Sequence, residues 1–277
     1  MCRWLAYSGD PIFLDQLVTR PAHSIVEQSF DTTMNYKNDG SLWAMNGDGF
    51  GVGWYDRKGE PGIFKDKMPA WNDENLHEIC SQTEANIFFA HIRASTNGAV
   101  QRTNSHPFKH KNWLFQHNGD VGHFSKIKRA LQYDVHPDLF TDITGTTDSE
   151  TCFYLALTYG LMDDPKPALE KMIKRLEQVQ EDAGYEAELN LSFAISDGEK
   201  IYTIRYASGK SLIKSQFYST DMSCVEDISG ACTALPSNGV ILVSEPLDNY
   251  SDKWISTPPN SFVCVHQSQV EIDLLSL

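Results

Sequence analysis

The sequence predicts a layered α+β protein. Short β-rich runs dominate the first half, blocks of helical periodicity interrupt them, and a second group of strands fills the last third without a regular βαβ repeat. The 277 residues, 41% hydrophobic and 11% aromatic, suffice for a substantial core. One domain over residues 1–277 is the simplest organisation, because no low-complexity tract, internal repeat or Pro/Ser-rich linker divides the chain. Only the polar stretch from Thr220 to Asn238 lacks a clear structural reading.

Asp164 can cap a helix with Pro165 at its first position, Leu169, Met172, Ile173, Leu176 and Val179 on one face, and Gly184 as its stop. Further helices are expected from Pro11 to Thr19, from Asn72 to Thr83 with Leu76, Ile79 and Cys80 inward, from Phe124 to Leu131, and after Asp148. Strands are expected at Gly51 to Tyr55, Asn86 to Ile92 and Asn112 to His117. Later, LNLSFAI and KIYTIRY flank the hairpin signal Asp197-Gly198, and GVILVS, SFVCVH and QVEIDLL follow. The glycines from Gly47 to Gly53 look like a nucleotide fingerprint, but Val52 and Trp54 stand where a third glycine would complete it, so no Rossmann site is expected.

With 23 basic and 37 acidic residues the formal charge is −14, which repels a phosphate backbone. The densest basic stretch, Lys126 to Arg129, falls on a helix face, so no nucleic-acid partner is expected. No run approaches the ~18 apolar residues of a membrane span. The opening MCRWLAYSGD reaches an Asp within ten residues and has no apolar signal core, which points to the cytoplasm. Six scattered cysteines (Cys2, Cys80, Cys152, Cys224, Cys232 and Cys264) form no CxxC pair, and most should be reduced and buried. His106, His110, His117 and His123 lack metal-ligand spacing, so no metal is expected.

Cys2 is the first residue with a chemical possibility. Removal of Met1, usual before so small a residue in cytosolic processing, leaves a thiol and a free α-amine on one residue, and an amine titrating near ~7.7–8.0 can take the thiol proton. Arg93 follows a hydrophobic strand, where its planar fork can clamp a carboxylate or make a surface ion pair. Ser95 and Thr96 beside it suit turn hydrogen bonding. Asn118-Gly119 is a turn dipeptide, yet an Asn amide and the next backbone N–H can also converge on one oxyanion. Thr147 and Glu150 fit a capping box, which accounts for this stretch without giving Asp148 a necessary role, although a carboxylate there could still hold a substrate ammonium.

Taken in order, Met1-Cys2, GDGFGVGWY, HIRAST, NSHPF, HNGDV and TTDSE make the first 155 or so residues resemble the class II glutamine amidotransferases of the N-terminal nucleophile hydrolase superfamily. The opening MCRWLAY is most similar to the stand-alone YafJ-like group, whose members consist of the glutaminase domain alone. The resemblance implies a four-layer αββα sandwich, with Cys2 opening a strand as nucleophile and its own amine as base. It further implies that Arg93 binds the glutamine α-carboxylate and Asp148 the α-ammonium, that Asn118 and Gly119 form the oxyanion hole, and that Thr96 and His106 line the pocket. The substrate is then glutamine or a γ-glutamyl small molecule, with no cofactor and any ammonia-accepting synthase supplied in trans. Synthase-linked members usually carry Gly after the Cys and an ammonia-gating aromatic after the Arg; this chain has Arg3 and Ala94. The same pocket would also suit an amidohydrolase with a larger leaving amine, as in ergothioneine biosynthesis, or a glutamine-sensing module without turnover.

Overall fold

The structure, a computed structural model, describes residues 2–34, 36, 40–43, 45–56, 58–95, 98–220, 223–249 and 252–277. In chain order its first half contains β1 (Arg3–Phe13), α1 (Asp15–Val18), β2 (Phe50–Tyr55), β3 (Pro61–Asp66), α2 (Glu74–Gln82), β4 (Glu84–Ile92), β5 (Phe108–His110) and β6 (Trp113–Val121). Four helices follow: α3 (Phe124–Tyr133), α4 (Pro137–Phe140), α5 (Asp148–Thr158) and α6 (Pro165–Asp182). The rest is β7 (Leu189–Ser196), β8 (Ile201–Ala207), β9 (Phe217–Ser219), β10 (Cys224–Glu226), β11 (Cys232–Ala234), β12 (Gly239–Val243), β13 (Ile255–Ser256), β14 (Ser261–His266) and β15 (Gln269–Leu274).

Among the described residues two large antiparallel sheets result, ordered β13-β9-β12-β1-β4-β2-β3 and β15-β14-β8-β7-β6-β5, with β10 and β11 paired as a separate hairpin. Because successive side chains leave a strand on opposite faces, β1 serves two cores at once. Trp4 and Ala6 join Phe89, Leu114, Ala194, Leu242 and Val263 between the sheets. Leu5 and Tyr7 face the other way, in the cluster that includes Leu17 of α1 and Leu76 and Cys80 of α2. On the far side Phe115, Phe193 and Ile195 pack with residues of α3, α5 and α6, among them Ile127, Phe153, Leu169 and Met172. The layers therefore run helix, sheet, sheet, helix, the αββα order.

Several elements differ from expectation. Pro11 to Phe13 continue β1, with Ile12 opposite Ala85 and Phe13 opposite Glu84, so the helix expected from Pro11 to Thr19 shrinks to the four residues of α1. Asp164 occupies the N-cap of α6 without a side-chain cap bond. Thr147 accepts from the Glu150 N–H at 3.2 Å, but the Glu150 carboxylate turns to the Thr144 and Gly145 N–H groups, so only half of the capping box forms. Cys224 and Cys232 are disulfide-bonded across the β10–β11 hairpin, which lies in the polar stretch left without a reading. Of the remaining cysteines only Cys80 and Cys152 are buried. The β2 glycines serve packing: a Cβ on Gly51 would meet the His106 carbonyl oxygen at 2.1 Å, and one on Gly53 would meet Pro107 at 2.8 Å.

Candidate active site

Cys2 immediately precedes β1, and the pairing of Arg3 with Ile92 brings it to the end of β4 where Arg93, Ala94 and Ser95 emerge. Its Sγ lies 3.7 Å from the Ala94 carbonyl oxygen. Two side chains register this end of β1 on the second sheet. Gln116 donates to the Leu5 carbonyl at 2.8 Å, and the Trp4 indole donates to Ser192 at 3.2 Å. Ser192 is the partner of Asn118 across β6 and β7. Strand alternation puts Leu114, Gln116 and Asn118 on the face toward β1, while Phe115 and His117 face the helices.

Asn118 and Gly119 thus belong to a strand ladder, which excludes the turn that the dipeptide suggested. Asn118 is fully buried, and neither Oδ1 nor Nδ2 of its amide has a hydrogen-bond partner. Leaving such a group unmatched costs ~1–3 kcal/mol, so an occupant that satisfies it is expected. Gly119 admits no side chain, since a Cβ would lie 1.8 Å from the Asn190 carbonyl oxygen and 2.4 Å from His117 Nε2.

Arg93 is buried rather than a surface ion-pairing group. Its Nη2 donates to Ser95 Oγ at 3.0 Å and its Nη1 to the Ala99 carbonyl at 3.3 Å. Asp48 steadies this corner: its N–H donates to the Arg93 carbonyl at 2.9 Å, and its carboxylate accepts from the Ser95 N–H at 2.8 Å. Asp48 is a residue that sequence reasoning passed over inside GDGFG. Thr96, expected in the pocket, lies outside the described residues, as does Met1.

Asp148 opens α5 and ties it to the end of β6. Its Oδ2 accepts from the Val121 N–H at 2.9 Å and its Oδ1 from the Ser149 N–H at 2.8 Å. His106 is buried in a histidine network. His91 Nε2 lies 3.1 Å from the His117 carbonyl oxygen, which can only accept, so that nitrogen carries the proton. It is also 2.8 Å from His106 Nδ1, which therefore accepts. Burial pushes His91 down to about 3 and holds His106 and His117 below their ordinary values, so all three rings are neutral. His110 and His123 lie apart, near Asp142 and Glu188. Among the described residues no group of three or more His, Cys, Asp or Glu is arranged to hold a metal ion.

Comparison with known proteins gives this arrangement a family. The sequence pattern of the class-II glutamine amidotransferases matches residues 14–275. The chain belongs to the class II glutamine amidotransferase family. It is 35% identical, over 98% of its length and 83% of the relative's, to the "Probable glutamine amidotransferase DUG3" of Saccharomyces cerevisiae. It is 30% identical over 44% of its length, and 52% of the relative's, to the gamma-glutamyl-hercynylcysteine sulfoxide hydrolase of Mycolicibacterium smegmatis. Among solved structures, a glutamine aminotransferase class-II domain protein from Silicibacter pomeroyi superposes with a TM-score of 0.72 at 27% identity, over the full length of both chains. The glutamine phosphoribosylpyrophosphate amidotransferase of B. subtilis shares the fold, with a TM-score of 0.64 at 12% identity over 50% of that chain. The αββα sandwich is thus the N-terminal nucleophile hydrolase fold.

This amidotransferase fold surrounds Cys2 with charges that the sequence did not reveal. Arg3 is buried against Glu245, its Nε donating to Oε2 at 2.7 Å. Burial alone would raise the Glu245 carboxyl, but the His23 ring, the Arg3 charge and the Thr33 donors outweigh it and bring the group down to about 2. Lys214 is also buried, its Nζ donating to the Tyr36 carbonyl at 3.0 Å. Burial, helped by the Arg3 charge, pulls that ammonium down to about 8, against the opposing pull of Asp120 and Cys2. Glu245 and Lys214 lie in no motif, and nothing in their local sequence marks them.

Proposed function

We propose that the chain, acting as one glutaminase domain, hydrolyses the side-chain amide of glutamine or of a related γ-glutamyl compound through a thioester on Cys2. The observation that carries this reading is the buried, unpartnered amide of Asn118 beside Gly119, at the end of the sandwich where Cys2 leads into β1. In the mature protein the Cys2 α-amine takes the thiol proton and the sulfur attacks the amide carbonyl carbon. Asn118 Nδ2–H and the Gly119 N–H stabilise the oxyanion. Collapse breaks the C–N bond, the α-ammonium returns its proton to the departing ammonia, and water cleaves the thioester to glutamate. Arg93 and Asp148 hold the α-carboxylate and α-ammonium, with Thr96 and His106 lining the pocket. Any synthase that uses the ammonia would act in trans.

A second reading keeps the γ-glutamyl pocket and changes the leaving amine. It is favoured by the similarity to a relative described as a gamma-glutamyl hydrolase. One experiment addresses both: purified protein is given glutamine and a panel of γ-glutamyl amides, glutamate release is followed, and the intact mass is read. The mass should begin at Cys2, and Cys2→Ser should lose most turnover, since a hydroxyl is far less nucleophilic than a thiol near neutral pH. Full activity with Met1 retained, or in Cys2→Ser, would overturn the mechanism.

A further inference from the structure

The residue that follows the nucleophile is itself a buried cation with a two-sided grip. Arg3 is fully buried; its Nε donates to Glu245 Oε2 at 2.7 Å, and its Nη1 reaches back to the Cys2 carbonyl oxygen at 3.1 Å. Glu245 lies two residues beyond β12, the strand that pairs Val243 with Leu5 of β1. Its other oxygen accepts from the Thr33 N–H and Thr33 Oγ1, each at 2.7 Å, and lies 2.7 Å from His23 Nε2. The Met34 N–H adds a longer bond of 3.3 Å to Oε2. One carboxylate therefore joins the start of β1, the segment at His23 and the segment at Thr33–Met34. Lys214 ties the same chain region a few residues on, at the Tyr36 carbonyl.

Such a pair is an unpromising source of stability, because desolvating two charges offsets much of their attraction and a well-packed apolar pair does as well or better. What an apolar pair could not do is hold a carbonyl. The Arg3 fork spans from a fixed carboxylate to the Cys2 oxygen, and so sets the plane of the Cys2–Arg3 peptide. That plane fixes where the Cys2 Cα sits and the Cα–C axis about which the α-amine and the thiol turn. We propose that Arg3 and Glu245 are positioning residues for Cys2, a buried brace that aims the nucleophile and its amine at the bound amide carbonyl; this rests on the reading of Cys2 as the nucleophile.

The test compares wild type with Arg3→Lys, Glu245→Gln, and the double variant Arg3→Met with Glu245→Met. The double variant removes both charges together, so no lone buried charge drives unfolding. For each, kcat and KM on the preferred amide are measured with the thermal midpoint and the rate at which iodoacetamide alkylates Cys2, a readout that needs no substrate. Lysine keeps the charge but cannot span both oxygens, so Arg3→Lys should lose about 10-fold or more in kcat with KM nearly unchanged, as expected for a misaimed reacting group. The double variant leaves the Thr33 and Met34 donors unmatched and should melt somewhat lower, and measured below that midpoint it should still show the low kcat and an altered alkylation rate. A double variant that folds and both turns over and alkylates like wild type would overturn the brace and leave Cys2 as nucleophile untouched. Turnover that survives Cys2→Ala, or a wild-type Cys2 inert to iodoacetamide, would instead remove the nucleophile reading and the brace with it.

Discussion

At Asn118 a single side chain separates two kinds of chemistry. An Asn-Gly pair in a turn tolerates Asp, which also suits that position. Within β6 the amide is sealed from water with both polar atoms unmatched, and it faces the start of β1. Asn118→Asp would then set a negative acceptor against a developing oxyanion, and kcat should fall by ~100-fold or more. Asn118→Ala deletes the donor without adding repulsion, so its kcat should lie between wild type and Asp. Thermal midpoints measured on the same samples check the assignment: activity that merely tracks stability, or an active Asp variant, would return Asn118 to a structural role.

Asp148 poses the same question for an element, because it joins the last residue of β6 to the first turn of α5. A carboxylate there complements the helix N-terminus and uses both oxygens. Asn supplies only one acceptor, so Asp148→Asn should lower the midpoint by about 2–5 °C, from ~1–3 kcal/mol for an unmatched N–H. If Asp148 also grips the substrate ammonium, KM should rise by about 10-fold as well; an unchanged KM with a lower midpoint would leave it the strand–helix tie alone. Elements with one strong local signal were legible in the sequence: α6 through its apolar stripe between Pro165 and Gly184, and the β7–β8 hairpin through Asp197-Gly198. β1 was not, because its first six residues are buried on both faces and show no alternation, and Pro11 imitates a helix start. β6 was cut short at His117 because the dipeptide that extends it has turn chemistry. Arg93, Asp148 and the Asn118-Gly119 pair stood out through their ordered motifs. Glu245 did not, since its meaning depends on Arg3, 242 positions away.

Across the whole molecule the two sheets are joined by groups that burial keeps neutral into mild acid. His91 on β4 of one sheet donates to the His117 carbonyl on β6 of the other, and His106 accepts from His91 between them. Each ring is pushed below its ordinary value, His91 to about 3, so the unfolded chain binds more protons than the folded one as pH falls below ~6.5. Stability should therefore be lost as pH drops through that window, with His91 alone contributing a slope of up to about 1.4 kcal/mol per pH unit and His106 and His117 adding to it in the same direction. Glu245 acts later: its carboxyl, held at about 2, protects the fold until pH falls below its unfolded value near 4.5. The net charge of −14 works in the opposite direction, since mild acid relieves self-repulsion. Exposed charges are well screened by salt whereas the buried rings are not, so the two effects separate in about 0.15 M salt. Urea midpoints measured there from pH 8 to pH 5 should be level at first and then fall steeply below about 6.5. Midpoints that hold level or rise down to pH 5 would show that charge relief dominates and that the histidines are not held neutral in the folded protein.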